Sequence, residues 1–130
     1  MAGKVLVAGS INTDLVVGVK KAPEAGETVT GQSFNIFGGG KGANQALSAA
    51  RSGAATAMLG AVGADDFGAA RLADLRADRI DVESVAVSDA VPSGVALITV
   101  ETSGQNRIAY VPGATMSATV DQAVSAFDRV

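Results

Sequence analysis

Two kinds of apolar pattern divide this chain. Val5-Leu6-Val7-Ala8 and Thr56-Ala57-Met58-Leu59-Gly60-Ala61-Val62 are short, nearly continuous apolar runs. Runs of this kind suit strands covered on both faces, as in a parallel sheet flanked by helices. Elsewhere β-branched and alternating segments predict strands at 15–19, 28–37, 94–101 and 106–112. Half-solvated strands read this way, and the last two flank a loop of hairpin length. Val82, Val85 and Val87 alternate with polar residues and predict one more short strand.

Helical patterns fill the gaps. Residues 43–52 carry Ala46, Leu47, Ala49 and Ala50 as a small-residue packing face, and Gly53 is placed to stop the helix. Residues 67–79 predict a second helix, with Phe67, Leu72 and Leu75 inward and Arg71, Asp74, Arg76 and Asp78 outward. Asp65 and Asp66 read as its N-cap pair. A third helix over 118–129 presents Val120, Val124 and Phe127 on one face, with Ser117 or Thr119 as its cap, and Thr119 and Gln122 have capping-box spacing. A βαβ pattern calls for a further strand after this helix, beyond Val130. The pattern predicts an α/β fold: a parallel sheet flanked by helices, with a small antiparallel sheet standing off it.

Gly38-Gly39-Gly40-Lys41-Gly42-Ala43-Asn44 is the densest functional signal. Glycine permits positive φ and close approach to the main chain. A helix starting there points free N–H groups and partial positive charge into the turn. Lys41 and Asn44 add a cation and an amide, a composition suited to a polyhydroxylated or anionic small molecule. A tight strand-to-helix junction accounts for one or two of these glycines without a ligand, and leaves the rest and the lysine unexplained. Gly38, Gly40 and Ala43 fit a loose dinucleotide fingerprint, but that turn should follow the first buried strand and does not. A phosphate-binding Walker loop fails, because Gly42 stands where Ser or Thr belongs. Asn12 and Asp14, after the first strand, read on their own as turn residues serving local backbone.

Composition narrows the function classes. Net charge is −3, with scattered basic residues and one Tyr and no Trp, so neither an electrostatic nor a stacking surface for nucleic acid is present. The chain has no Cys and no His, which removes thiolate chemistry and the commonest general base and metal ligand. No apolar run approaches the roughly 20 residues of a membrane span. The N-terminus shows no signal-peptide pattern. The expected setting is cytoplasmic, without membrane or nucleic-acid partners.

Five motifs occur in order: Gly9-Ser10-Ile11-Asn12-Thr13-Asp14; Gly26-Glu27-Thr28-Val29; Gly39-Gly40-Lys41-Gly42-Ala43-Asn44-Gln45-Ala46; Arg51-Ser52-Gly53-Ala54; and Val62-Gly63-Ala64-Asp65-Asp66-Phe67-Gly68. Together they resemble the N-terminal half of a ribokinase-type (PfkB family) carbohydrate kinase, over nearly the whole chain. Lys41 and Gln45 favour the ribose-phosphorylating branch over fructokinase-like or nucleoside-kinase-like relatives. The resemblance implies a large α/β domain with a β-sheet lid that closes over the sugar and often forms a homodimer contact. It implies that Asn12 and Asp14 bond sugar hydroxyls and that Gly39, Gly40, Lys41 and Asn44 line the pocket, with Thr13, Gly42 and Ala43 completing these two stretches. The strand at 95–98 would set small apolar side chains near the sugar. ATP and Mg²⁺ are implied for the full-length enzyme, with none bound by this chain alone.

The family's catalytic Asp lies in an Asp-Thr-x-Gly-Ala-Gly-Asp motif that also supplies the anion hole, and this sequence does not contain it. No catalytic residue is expected here, and the chain alone is expected to be inactive. The alternatives are a non-catalytic sugar-binding or dimerising module, and a kinase for another sugar or nucleoside.

Overall fold

The structure, a computed structural model, describes residues 3–130. The chain runs β1 (Lys4–Ala8), β2 (Asn12–Val19), β3 (Ser33–Gly39), α1 (Lys41–Arg51), β4 (Ala55–Gly63), α2 (Asp66–Ala77), β5 (Asp81–Ser88), β6 (Gly94–Glu101) and β7 (Asn106–Val111). A 3₁₀ turn (Gly113–Ser117) and α3 (Val120–Arg129) follow.

Two sheets result. One is parallel, in the order β1-β4-β5. The other has the order β3-β2-β6-β7. The continuous apolar runs fall in the parallel sheet, as their pattern predicts. All of β4 from Thr56 onward is buried. The core gathers Val7, Ile11, Ala43, Ala46, Met58, Val62, Leu75, Ile80 and Val85. α1 lies close on this core because its inward residues are Gly42, Ala43 and Ala46. A Cβ on Gly42 would sit 2.6 Å from the carbonyl carbon of Gly9, so helix and strand end meet backbone to backbone. Gly53, at φ 95°, ends α1 as predicted.

The second sheet departs from expectation in three ways. It is mixed rather than antiparallel, because β2 and β6 pair in parallel. β2 begins at Asn12 rather than at 15, since Asn12 pairs with Gly39 on one side and Gly94 on the other, and these ladders carry its polar start. β3 covers Ser33–Gly39 rather than 28–37. Its pairing with β2 ends at Gly18 opposite Ser33, and residues 27–32 are not in a strand: a turn at Ala25-Gly26 is closed by the Glu27 N–H donating to the Glu24 carbonyl at 2.9 Å, and the Gln32 N–H donates to the Gly18 carbonyl at 2.7 Å.

Two helix faces also differ from their pattern. Arg71, expected outward on α2, is drawn in against the second sheet, with its side chain 11% exposed. Phe67, expected inward, is half-buried in a cleft with Pro92, Ser93 and Val95. On α3 the capping box of Thr119 and Gln122 forms with both bonds. Its stripe of Val120, Val124 and Phe127 is exposed, and Ala126 is the buried residue. Among the described residues no helix is long and apolar enough to cross a membrane.

Candidate functional site

The candidate residues converge where the two sheets meet. The Gly9 N–H donates to the Leu59 carbonyl at 3.1 Å, closing the parallel sheet. Three residues later the chain enters the second sheet at Asn12. β3 ends beside it at Gly39, and α1 starts at once. The Ala43 N–H donates to the Ser10 carbonyl at 3.0 Å, locking the first turn of α1 to this crossing. Gly40 takes φ 95°, left-handed backbone that side chains resist, and caps α1 without a side chain.

Each glycine of the turn has a neighbour inside the protein. An added Cβ on Gly38 would lie 3.3 Å from Arg71 Nε and from Asp74 Oδ2. On Gly39 it would lie 2.5 and 2.6 Å from the two Asp14 carboxylate oxygens. On Gly40 it would meet the Ser10 carbonyl at 2.5 Å, and on Gly42 the Gly9 backbone. Internal packing therefore accounts for four glycines, more than the one or two expected. Two of them make room for charged side chains of the site.

Asn12 does not form the local turn that its residue type suggests. Its Oδ1 accepts from the Tyr110 hydroxyl at 3.3 Å and the Thr115 hydroxyl at 3.5 Å, both distant in sequence. Gly94 leaves the space, since a Cβ there would lie 2.7 Å from Asn12 Oδ1. The amide oxygen is thus held from β7 and the 3₁₀ turn, leaving the amide N–H groups as donors. Asp14 is half-buried against Gly39, with no cation partner among the described residues. Its ladder neighbours are Phe37 and Ala96, and Ala96 in turn faces Tyr110. Alternation puts Asn12 and Asp14 on one face of β2 and Thr13 on the other.

Thr13 is the member that the structure separates from the set. It is fully buried, and its hydroxyl accepts from Arg71 Nη1 at 3.0 Å. Gly42 and Ala43 are buried too, one against Gly9 and the other in the core. Lys41 is exposed at the start of α1, whose first turn holds no acid. Its charge adds to the positive helix end. Asn44, one turn on, borders a small cavity of about 20 Å³ with Gly38, Gly39, Arg71 and Asp74, room for a single water.

A second junction lies at the start of α2. Asp65 caps the helix, accepting from the Gly68 N–H at 2.8 Å, as its position predicts. It also accepts from the N–H and hydroxyl of Ser93, just before β6. Burial pushes the Asp65 carboxyl up, but these hydrogen bonds outweigh that and hold it below the usual carboxylate range.

Sequence reasoning missed Arg71, Ser93, Tyr110 and Thr115. Arg71 follows a helical period that reads as solvent-facing, and nothing local reveals the sheet beside it. Tyr110 had a usable signal. It is the chain's one tyrosine, and the hairpin pairing that sets it opposite Ala96 follows from the loop length.

Comparison with known proteins places the chain in a family. The model of the pfkB family carbohydrate kinases matches residues 2–130. The ribokinase of Bacillus subtilis is 43% identical over 126 residues, covering 97% of this chain and 43% of that protein. The ribokinase of Schizosaccharomyces pombe is 43% identical over 116 residues, covering 85% of this chain and 36% of that protein. Among solved structures, ribokinase from Giardia lamblia superposes with a TM-score of 0.85 at 36% identity, over 96% of this chain and 38% of that one. Arabidopsis thaliana ribokinase complexed with ribose and ATP gives 0.80 at 33% identity, over 88% of this chain and 37% of that one. The chain belongs to the pfkB family of carbohydrate kinases. It spans less than half the length of these relatives.

Proposed function

We propose that this chain forms the sugar-binding part and lid of an ATP-dependent kinase acting on D-ribose at its 5-hydroxyl. The observation that carries this reading is the placement of Asn12 and Asp14 on one face of β2, beside Gly39 and the Lys41 end of α1. An unpaired carboxylate accepts from sugar hydroxyls, while the Asn12 amide and the Lys41 ammonium donate to them. Tyr110 and Thr115 orient the Asn12 amide so that its N–H groups are offered to the ligand. The second sheet is the lid, with Ala96 and Ile98 over the sugar. The similarity to ribokinases, one of them solved with ribose and ATP, supports ribose as the substrate. A cytoplasmic location goes with this reading.

ATP and Mg²⁺ belong to the reaction of the whole enzyme. The described residues hold no group of three or more Asp, Glu, His or Cys able to bind a metal, and none is assigned to the nucleotide. The Asp-Thr-x-Gly-Ala-Gly-Asp motif to which the resemblance assigns catalysis does not occur in this sequence, and on that ground this chain alone is expected to bind sugar without turning it over. A coupled ADP-release assay on the protein carrying this chain tests the proposal. Ribose-dependent turnover is expected, and absence of turnover with every pentose and hexose overturns it.

The lid also suits a homodimer. Ile36, Leu15 and Leu97 stand side by side on the face opposite Asn12 and Asp14, with Phe34 beside them. Phe34, Ile36 and Leu97 are exposed apolar groups, a pattern that marks association surfaces. Light scattering should show a dimer that Leu97→Glu converts to monomer.

A further inference from the structure

Arg71 reaches from α2 into the root of the second sheet and serves three acceptors. Nη1 donates to Thr13 Oγ1 at 3.0 Å and to the Phe37 carbonyl at 3.3 Å. Nε and Nη2 both engage Asp74 Oδ2, at 3.2 and 3.0 Å, which holds the guanidinium plane. Asp74 is well exposed while Arg71 is not. Gly38 provides the room, because a Cβ there would crowd Arg71 Nε.

The two gripped positions bracket the proposed sugar ligands. Thr13 lies between Asn12 and Asp14, and Phe37 is the ladder partner of Asp14. Along a strand, fixing one residue on one face fixes its two neighbours on the other. We infer that Arg71 is a positioning residue for the sugar site: by clamping Thr13 and the Phe37 carbonyl to α2, it sets the height and tilt at which Asn12 and Asp14 meet the substrate. It touches no sugar. The inference rests on the sugar-binding reading above. The planar fork is what the task needs, since a lysine at position 71 would carry all its N–H donors on one nitrogen and could not span Thr13, the Phe37 carbonyl and Asp74 together.

The test uses the protein carrying this chain, with D-ribose and ATP as varied substrates. Arg71→Gln should raise the ribose KM by about ten-fold, the size expected when a charged hydrogen-bond donor is lost. The ATP KM should stay unchanged. Thr13→Val, which removes only the acceptor, should act in the same direction, and Thr13→Ser should restore wild-type behaviour. The double variant Arg71→Gln/Thr13→Val should be no worse than the more severe single change, because both break one link. Should Arg71→Gln fail to fold, the Thr13→Val and Thr13→Ser pair carries the test. An unchanged ribose KM in Thr13→Val overturns the inference, as does an equal rise in both KM values accompanied by a drop in Tm. If Asp14→Ala weakens ribose binding and these variants do not, the positioning role falls and the sugar site stands. If Asp14→Ala also has no effect, the sugar-binding reading falls, and the inference with it.

Discussion

The Asp65 carboxylate accepts two hydrogen bonds from Ser93, from its N–H at 2.8 Å and from its hydroxyl at 2.6 Å. The two residues are 28 positions apart. The Ser93 oxygen accepts in turn from the Gly63 N–H at 2.8 Å. One carboxylate therefore caps α2 and ties it to the start of β6, while Arg71, near the middle of α2, ties it to β2. The second sheet is joined to the body at both strands by which it leaves the core.

Asp65 makes stability depend on pH in a stated direction. Its folded-state pKa is below the ordinary Asp value of about 3.9, so its contribution is complete above that value and is lost as pH falls through the lowered one. Asp65→Ala should cost about 1–2 kcal/mol at neutral pH, through the lost cap and the orphaned Ser93 N–H. The Tm gap between variant and wild type should hold from pH 7 down to about 4 and close below that. A gap that stays constant into strong acid would refute the assignment.

Asp14→Ala should weaken ribose affinity by about 1–3 kcal/mol, the usual consequence of deleting a hydrogen-bond partner at a binding site. Isothermal titration with ribose measures it. Because Asp14 has no cation partner among the described residues, the variant's Tm should stay close to wild type. A large Tm loss with intact affinity would reverse its role from ligand to scaffold.

Gly39→Ala and Gly40→Ala should fail in different ways. A Cβ on Gly39 collides with the Asp14 carboxylate, a side chain that can swing aside. Ribose binding should fall at least as far as in Asp14→Ala, with a small change in Tm. A Cβ on Gly40 meets the Ser10 carbonyl and sits at φ 95°. That substitution should cost about 1–3 kcal/mol of folding stability from backbone strain alone. Denaturant titration beside ribose titration separates the two.

Ile11 sets the crossing between the sheets from within the core, at 1% exposure and beside Gly60. Ile11→Ala should destabilise by about 2–5 kcal/mol through lost burial and the cavity left. Ile11→Val should cost about 0.5–1.5 kcal/mol. Chemical denaturation of the two variants checks the ratio.

Much of the fold was legible because burial on two faces leaves a mark on composition. The runs at 5–8 and 56–62 are apolar without alternation, and both strands lie in the parallel sheet. Caps were legible for a similarly local reason: Asp65, Thr119 and Gly53 act within a few residues of themselves. β3 was misplaced because its bounds depend on where β2 runs out of partners, which is a property of two segments at once. Arg71 was assigned outward on a period that knows only its own helix. Asn12 looked like a turn residue because its partners, Tyr110 and Thr115, lie 98 and 103 residues away.

The amino-acid sequence by itself determined the class of fold, the helix caps and the glycine-rich stretch, because each rests on local propensity or on the period of burial. The tertiary structure decided which side chains meet. It separated Thr13 from Asn12 and Asp14, gave each turn glycine a particular neighbour, and set Arg71 and Asp65 as ties between the body and the second sheet. Those outcomes depend on register and on the crossing of two sheets, and such long-range pairings leave no periodic signal in the chain.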